Sequence, residues 1–299
     1  MGERFEHHLA ALRDEVLDGR APTGAWTSFQ VHDPKPRLIH APAFRDRVLH
    51  HALLGCIGPH LDRGLVDDTF ACRLGKGTLA AVRRAQQHVR RFAWYVQVDV
   101  RAYFASIRHD VLRAVLDRRL RDAGIRALCA RILAHGPGGE AGVGLPIGAL
   151  TSQYFANLYL DAFDRFLGEG LHVRGLVRYM DDVVWWCDDR EAARATRDAA
   201  VGFLARERGL TLKPARIGRS AHGLSFLGFQ VRPGALRLSR RRRRRYAAAR
   251  SLAERAWRLG QLDALGLQAA VTAAQAITAH ADARGWQREQ LKRRPPVDA

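Results

Sequence analysis

The chain has 299 residues, enough for one large unit or two to three packed subdomains, and its 47% apolar and 26% charged composition excludes wholesale disorder and low-complexity or collagen-like classes. Its charge is unusual: 49 Lys plus Arg stand against 30 Asp plus Glu, giving +19, and only Lys35, Lys76, Lys213 and Lys292 are lysines, so 45 of the cations are Arg. Such a balance favours a polyanionic partner, nucleic acid before membrane.

Phe5, Leu9, Leu12, Val16 and Leu17 recur at helical spacing, so a first helix runs over 4–19 and ends at the breaker cluster APTG. The text SFQVHDPKPRLIH predicts a basic hairpin with Lys35 and Arg37 near its tip. Residues 44–61 and 77–92 read as helices, joined by the basic, glycine-bearing connection VDDTFACRLGKG. WYVQVDV (94–100) is a strand by its β-branched and aromatic content. A helix over 106–124 and a long Gly-rich loop follow it, and then an amphipathic helix over 151–167. VRGLVRY and VVWWC form two strands with Met180, Asp181 and Asp182 at their turn. A helix over 190–208, a short strand over 210–213 and a hairpin turning at Pro233 and Gly234 come next. The Ala- and Arg-rich remainder to 285 reads as two or three helices. Through residues 94–213 the order of elements fits a ferredoxin-like sheet backed by helices, between two basic segments.

No run reaches about 18 uncharged apolar residues, and Glu3, Glu6, Asp14 and Glu15 stand where a signal peptide needs an apolar stretch. Cys56, Cys72, Cys129 and Cys187 lie far apart with no CxxC pair. A zinc ribbon or disulfide framework is therefore disfavoured, and the expectation is a cytoplasmic protein with no membrane partner.

The sharpest chemical feature is RYMDDVVWW, which sets two adjacent carboxylates, Asp181 and Asp182, in a turn between apolar strands. Like-charge repulsion destabilises such a turn unless cations sit against it. Asp99 ends another strand, and strands of one sheet can bring it beside the pair. Carboxylates converging at a sheet edge suit Mg²⁺, which prefers them together with substrate phosphates. A plain acidic β-turn is the competing reading of an isolated Asp-Asp.

The strings DVRAYF (99–104), GLPIGALTSQ (144–153), YMDD (179–182) and FLGF (226–229), in that order, resemble the reverse transcriptase family. PKPRLI, FRDRVLHHAL and FACRLGKGT resemble that family's fingers, and the resemblance covers roughly residues 30–290. It implies an α+β right-hand polymerase: fingers over 1–92, a ferredoxin-like palm with finger insertions over 93–222, a primer-grip-like hairpin over 223–239, and a helical thumb with basic tail over 240–299. It further implies that Asp99, Asp181 and Asp182 are catalytic and, with the Val100 carbonyl, hold two Mg²⁺ ions, with Mn²⁺ as a substitute. Lys35, Arg37, Phe104, Ile147 and Gln153 would line the dNTP site, Phe104 excluding a 2′-hydroxyl. Arg73 and Lys76 would lie on template backbone. Six arginines from Arg240 to Arg245 circle about 1.7 helical turns and cannot all form one solvated stripe, so Arg241, Arg243 and Arg245 are candidate phosphate contacts. Phe226 and Phe229 read as core before base-stacking. The family's Lys after a short strand has its nearer match in Arg216, with Lys213 slightly early, and Arg does not give up a proton readily.

Ile147 together with Ser152-Gln153 resembles the diversity-generating retroelement type, which implies error-prone copying and a small basic accessory protein encoded nearby. The expected partners are an RNA template, a DNA or RNA primer and dNTPs. Rival readings are a retron-like or phage-defence enzyme with untemplated or protein-primed synthesis, and a non-catalytic RNA-binding scaffold. The short stretch before the hairpin suggests incomplete fingers, and the stretch after residue 290 leaves no room for a ribonuclease H or endonuclease.

Overall fold

The computed structural model describes residues 2–32, 36–137 and 142–295. It begins with α1 (Gly2–Leu17), the antiparallel pair β1 (Trp26–His32) and β2 (Pro36–Pro42), and two helices, α2 (Phe44–Arg63) and α3 (Thr78–Arg91). Then come β3 (Trp94–Asp99), α4 (His109–Arg119), α5 (Ala123–His135), α6 (Leu150–Tyr159), α7 (Asp161–Arg165), β4 (Gly175–Tyr179), β5 (Asp182–Cys187), α8 (Arg190–Arg208) and β6 (Arg216–Arg219). A small meander, β7 (Leu224–Phe226), β8 (Phe229–Val231) and β9 (Leu236–Leu238), leads into α9 (Arg240–Arg258), α10 (Ala264–Ala276) and α11 (Arg284–Arg293).

The central sheet has the order β4-β5-β3-β6, all antiparallel. Numbered along the chain from β3, that is the strand order and helix placement of a ferredoxin-like unit. Side chains alternate across each strand. Val96, Val98, Leu176, Val183 and Trp185 therefore face a large core built with α2, α4, α5, α6 and α8. Tyr95, Val177, Val184 and Trp186 face a second core made with α3 and the meander. A sheet covered on both faces has few degrees of freedom left, which is what a site at its end requires.

Four expectations need correction. The stretch read as a long glycine loop contains α5, whose Leu128, Cys129, Ile132 and Leu133 are buried at helical spacing. The helix expected over 151–167 breaks at Leu160 into α6 and α7. The short strand expected over 210–213 contributes only a bridge, Val100 to Leu212, and the paired strand is β6. The expected hairpin is three strands, with Phe226 and Phe229 2% and 3% exposed, hence core. Among the described residues no helix is long and apolar enough to cross a membrane.

Candidate active site

Antiparallel pairing puts Asp99, the last residue of β3, directly opposite Asp182, the first of β5. Tyr179 of β4 also pairs with Asp182, so Met180 and Asp181 form a two-residue connection at the same end of the sheet. The sequence thus delivers three carboxylates to one corner through strand register alone. Both Asp99 oxygens accept hydrogen bonds from the Lys213 ammonium at 2.7 Å. The chain around Val100 is pinned by Arg101 N–H to Thr211 O (2.8 Å) and Lys213 N–H to Asp99 O (2.9 Å). These bonds flank Val100, so its own carbonyl is directed to the other side of β3, where β5 and Asp181 lie.

Burial pushes the Asp182 carboxyl up to about 7, and the charges of Asp181 and Asp99 push the same way. Burial also raises Asp181, with Asp99 adding to it, while the cations of Lys213 and Arg37 pull it back. These are acids whose negative charge is undercompensated, the condition under which a hard divalent cation is favoured. Among the described residues no three His, Cys, Asp or Glu side chains converge closely enough to enclose an ion. Lys213 instead occupies the Asp99 oxygens. The donor set, oxygens only, is of the kind Mg²⁺ prefers.

Sequence reasoning undervalued Lys213 and passed over Arg178. Arg216, the nearer sequence match for the motif's cation, pairs with Gln97, two residues before Asp99, and is exposed, whereas it is Lys213 that binds the Asp99 carboxylate. Arg178 had a readable signal: a charge in a strand buried on both faces demands a buried acid, and α7 supplies it in Asp164, which is fully buried.

Of the expected nucleotide contacts, one is tied to this corner electrostatically and the other described ones are held by their own neighbours. Arg37 is exposed on β2 and acts electrostatically on Asp181, whereas Lys35 lies outside the described residues. Phe104 is half-buried after the turn that follows Asp99, its ring 5.7 Å from that of Tyr103 in a T-shaped contact. Ile147 is half-buried too, and its carbonyl accepts from His40 N–H at 2.8 Å, which ties the loop to β2. Gly148 makes that approach possible: at φ +127° a Cβ there would stand 2.6 Å from the His40 carbonyl oxygen. Gln153 accepts from the Cys72 thiol at 3.1 Å.

Two basic residues expected on template backbone turn inward. Arg73 is 8% exposed at its side chain and is bound to Asp62 at 2.5 Å. It also donates to the carbonyls of Val66 (2.7 Å) and Thr69 (2.9 Å). Lys76 donates to the Asp67 carboxylate at 2.6 Å and to its carbonyl, with the ammonium 5.1 Å from the Phe70 ring centroid. Both brace the loop between α2 and α3. The arginine run is helical from its first residue because Ser239 caps α9, accepting from Arg242 N–H at 3.3 Å. Arg242 covers the Phe229 ring at 4.4 Å and Arg243 approaches Trp286 at 5.8 Å. Arg243, expected to face phosphate, is thus an inward residue, while Arg240, Arg241, Arg244 and Arg245 are exposed. Cations crowded at a helix N-terminus oppose the macrodipole, and an anion relieves that conflict.

The description "Reverse transcriptase (RNA-dependent DNA polymerase)" fits residues 31–231, more than half of the chain. This chain belongs to the reverse transcriptase family. Among curated proteins it is 26% identical to Protein YkfC of Escherichia coli over 208 residues, 64% of this chain and 53% of YkfC. It is 31% identical over 100 residues to an uncharacterized 91 kDa protein in a cob intron of Schizosaccharomyces pombe, covering 32% of this chain and 12% of that protein. In structure it resembles telomerase from Candida tropicalis in complex with a TWJ fragment of telomeric RNA, with TM-score 0.56 and 10% identity over 91% of this chain and 55% of the telomerase. Apo telomerase of the same species gives TM-score 0.55 at 10% identity, over 72% of this chain and 55% of that one. At that identity the likeness speaks for the fold alone, an α+β right-hand polymerase. The chain spans about half the length of YkfC and of these telomerase chains.

Proposed function

We propose that this reverse transcriptase relative copies RNA into DNA, extending a DNA or RNA primer with dNTPs. The observation that carries the reading is the register meeting of Asp99 with Asp182, beside Asp181, at one end of a rigid sheet. Asp99, Asp181, Asp182 and the Val100 carbonyl would hold two Mg²⁺ ions, which when bound activate the primer 3′-hydroxyl and stabilise the departing pyrophosphate. Lys213 keeps the Asp99 charge compensated without metal and is the mobile cation at the phosphate side once released. Arg37, with Lys35, meets the triphosphate through forked and single donors. Phe104 fills the space under the sugar, while Gln153 and Ile147 shape the pocket around the base. Error-prone copying of the diversity-generating type rests on Ile147, which supplies shape and no hydrogen-bond donor, and on Ser152-Gln153.

Purified protein given an RNA template, a primer, dNTPs and Mg²⁺ should extend the primer. Asp181→Asn should abolish extension while RNA affinity stays unchanged, since the exchange removes a carboxylate and no phosphate-binding cation. Extension by Asp181→Asn would remove the metal assignment. RNA binding without extension by the wild type would favour a scaffold, and product that protease digestion shifts on a gel would favour protein priming.

A further inference from the structure

Arg178 lies in β4, and neither it nor its partner Asp164 exposes any side-chain surface (0% and 0%) at an N–O distance of 2.7 Å. A buried guanidinium is tolerated only when its donors are spent. Here Nε reaches both Asp164 oxygens at 2.8 Å. Nη2 donates to the Asn157 carbonyl at 2.9 Å and to the Thr69 hydroxyl at 3.3 Å. Nη1 donates to the Asn157 side-chain oxygen at 3.1 Å and to the Met180 carbonyl at 3.3 Å.

Stability alone does not ask for such an arrangement, because apolar residues of similar size often replace a buried ion pair without loss. Its distinguishing property is which pieces of chain it joins. Asp164 and Asn157 belong to α7 and α6. Thr69 belongs to the loop between α2 and α3, which Arg178 also holds through its backbone: Arg178 N–H donates to Asp68 O and Phe70 N–H to Arg178 O, both at 2.9 Å. Asn157 closes the ring by donating to the Ala71 carbonyl at 2.5 Å. The remaining arm ends on Met180, the residue immediately before Asp181. Met180 has φ 56°, a left-handed conformation costly for a side chain of its size and kept only where the surroundings impose it.

We propose that Arg178 is a positioning residue: its Nη1 arm fixes the Met180 peptide, and through it the Asp181 carboxylate, relative to α6, α7 and the loop between α2 and α3. The inference rests on the polymerase reading above and adds to it a residue that touches no substrate. Asp182, on the far side of Asp181, is held by its pairing with Asp99 and Tyr179, so the Met180 peptide is the other tether of Asp181, and a turn of that peptide displaces the carboxylate. A displacement on the order of 1 Å at a reacting centre costs up to about a hundredfold in rate.

Two variants separate positioning from folding. Arg178→Lys keeps the charge beside Asp164, but one ammonium cannot also span Asn157 and the Met180 carbonyl. Arg178→Met combined with Asp164→Asn removes both buried charges, so the fold survives without an orphaned ion. Both should lower kcat by about tenfold to a hundredfold, with KM for dNTP and RNA affinity unchanged. Mn²⁺ binding, followed by the EPR signal of the free ion, should weaken in both, a readout that needs no turnover. Leu204→Ala, a core truncation on α8, should melt at lower temperature yet keep kcat and Mn²⁺ affinity. Wild-type Mn²⁺ affinity and kcat in Arg178→Lys and in the double variant would overturn the proposal. A wild-type protein that binds Mn²⁺ but extends no primer would overturn the polymerase reading, and the Mn²⁺ comparison would still decide on Arg178.

Discussion

Two ion pairs flank the turn that carries Asp181, at the same N–O distance of 2.7 Å, and they do opposite things. Lys213 and Asp99 are 44% and 38% exposed at their side chains, so water competes for both and the pair can open at little cost. Arg178 and Asp164 are wholly enclosed, and neither can let go without leaving a bare charge in a dry interior. Distance alone does not tell a latch from a rivet. Exposure and the number of other acceptors do, and by that measure the first pair can open into water while the second is part of the frame.

The largest expected difference is in stability. Asp164→Ala strands the Arg178 guanidinium and should cost about 3–5 kcal/mol, whereas Lys213→Ala at the exposed pair should change stability by about 1 kcal/mol or less. Denaturant midpoints of the two variants at equal slope measure both. Equal losses would show that the two pairs are the same kind of object.

The two pairs also differ in what pH can do near them, and Asp182 provides the probe. Its carboxyl stands at about 7 in the folded chain, raised by burial and by Asp181 and Asp99, against an ordinary 3.8 when unfolded. Between those values the folded chain binds a proton that the unfolded chain does not, so this group favours folding at acid pH and its contribution is lost as pH rises toward about 7. Metal-free wild type should therefore lose melting temperature relative to Asp182→Asn as pH goes from about 5 to about 8. Added Mg²⁺ should reduce that loss. A wild type that gains on the variant with rising pH would mean that Lys213 already satisfies the whole corner.

A smaller effect tests the arginine run at the start of α9. Changing Arg240, Arg241, Arg244 and Arg245 to Gln should flatten the dependence of RNA affinity on salt by about 0.7 to 0.9 for each phosphate no longer neutralised. Arg242→Gln should instead lower thermal stability, because its guanidinium lies on the Phe229 ring. An unchanged slope in the fourfold variant would take nucleic acid away from this face.

The acidic corner was legible because strand character and order are written in the sequence: WYVQVD and VVWWC are β-branched and aromatic, and Asp99 and Asp182 stand at ends that antiparallel register brings together. The orientation of cations was not. Arg73 and Lys76 look like surface charges until Asp62 and Asp67 pair with them. Arg243 looks equivalent to its neighbours until Trp286, far along the chain, packs against it. β6 escaped notice because RIGR has little strand propensity of its own and becomes a strand only by pairing with Trp94–Gln97. α5 escaped because the glycines after it drew its apolar positions into a loop.

The finest prediction concerns Ile147, whose backbone is fixed by the His40 N–H at 2.8 Å and whose side chain is half-buried. An Ile supplies shape but no donor, so a mispositioned nucleotide forfeits no hydrogen bond there. A Gln at the same place adds an amide, and one net hydrogen bond is about 0.5 to 1.5 kcal/mol, roughly two- to tenfold in discrimination. The backbone tie to β2 does not depend on the side chain, so the loop keeps its place in the variant. Ile147→Gln should then lower misincorporation opposite at least one template base without a matching loss of correct insertion, as read by sequencing the products of both proteins on one RNA. Identical error spectra would leave Ile147 a packing residue and separate error-prone copying from this position.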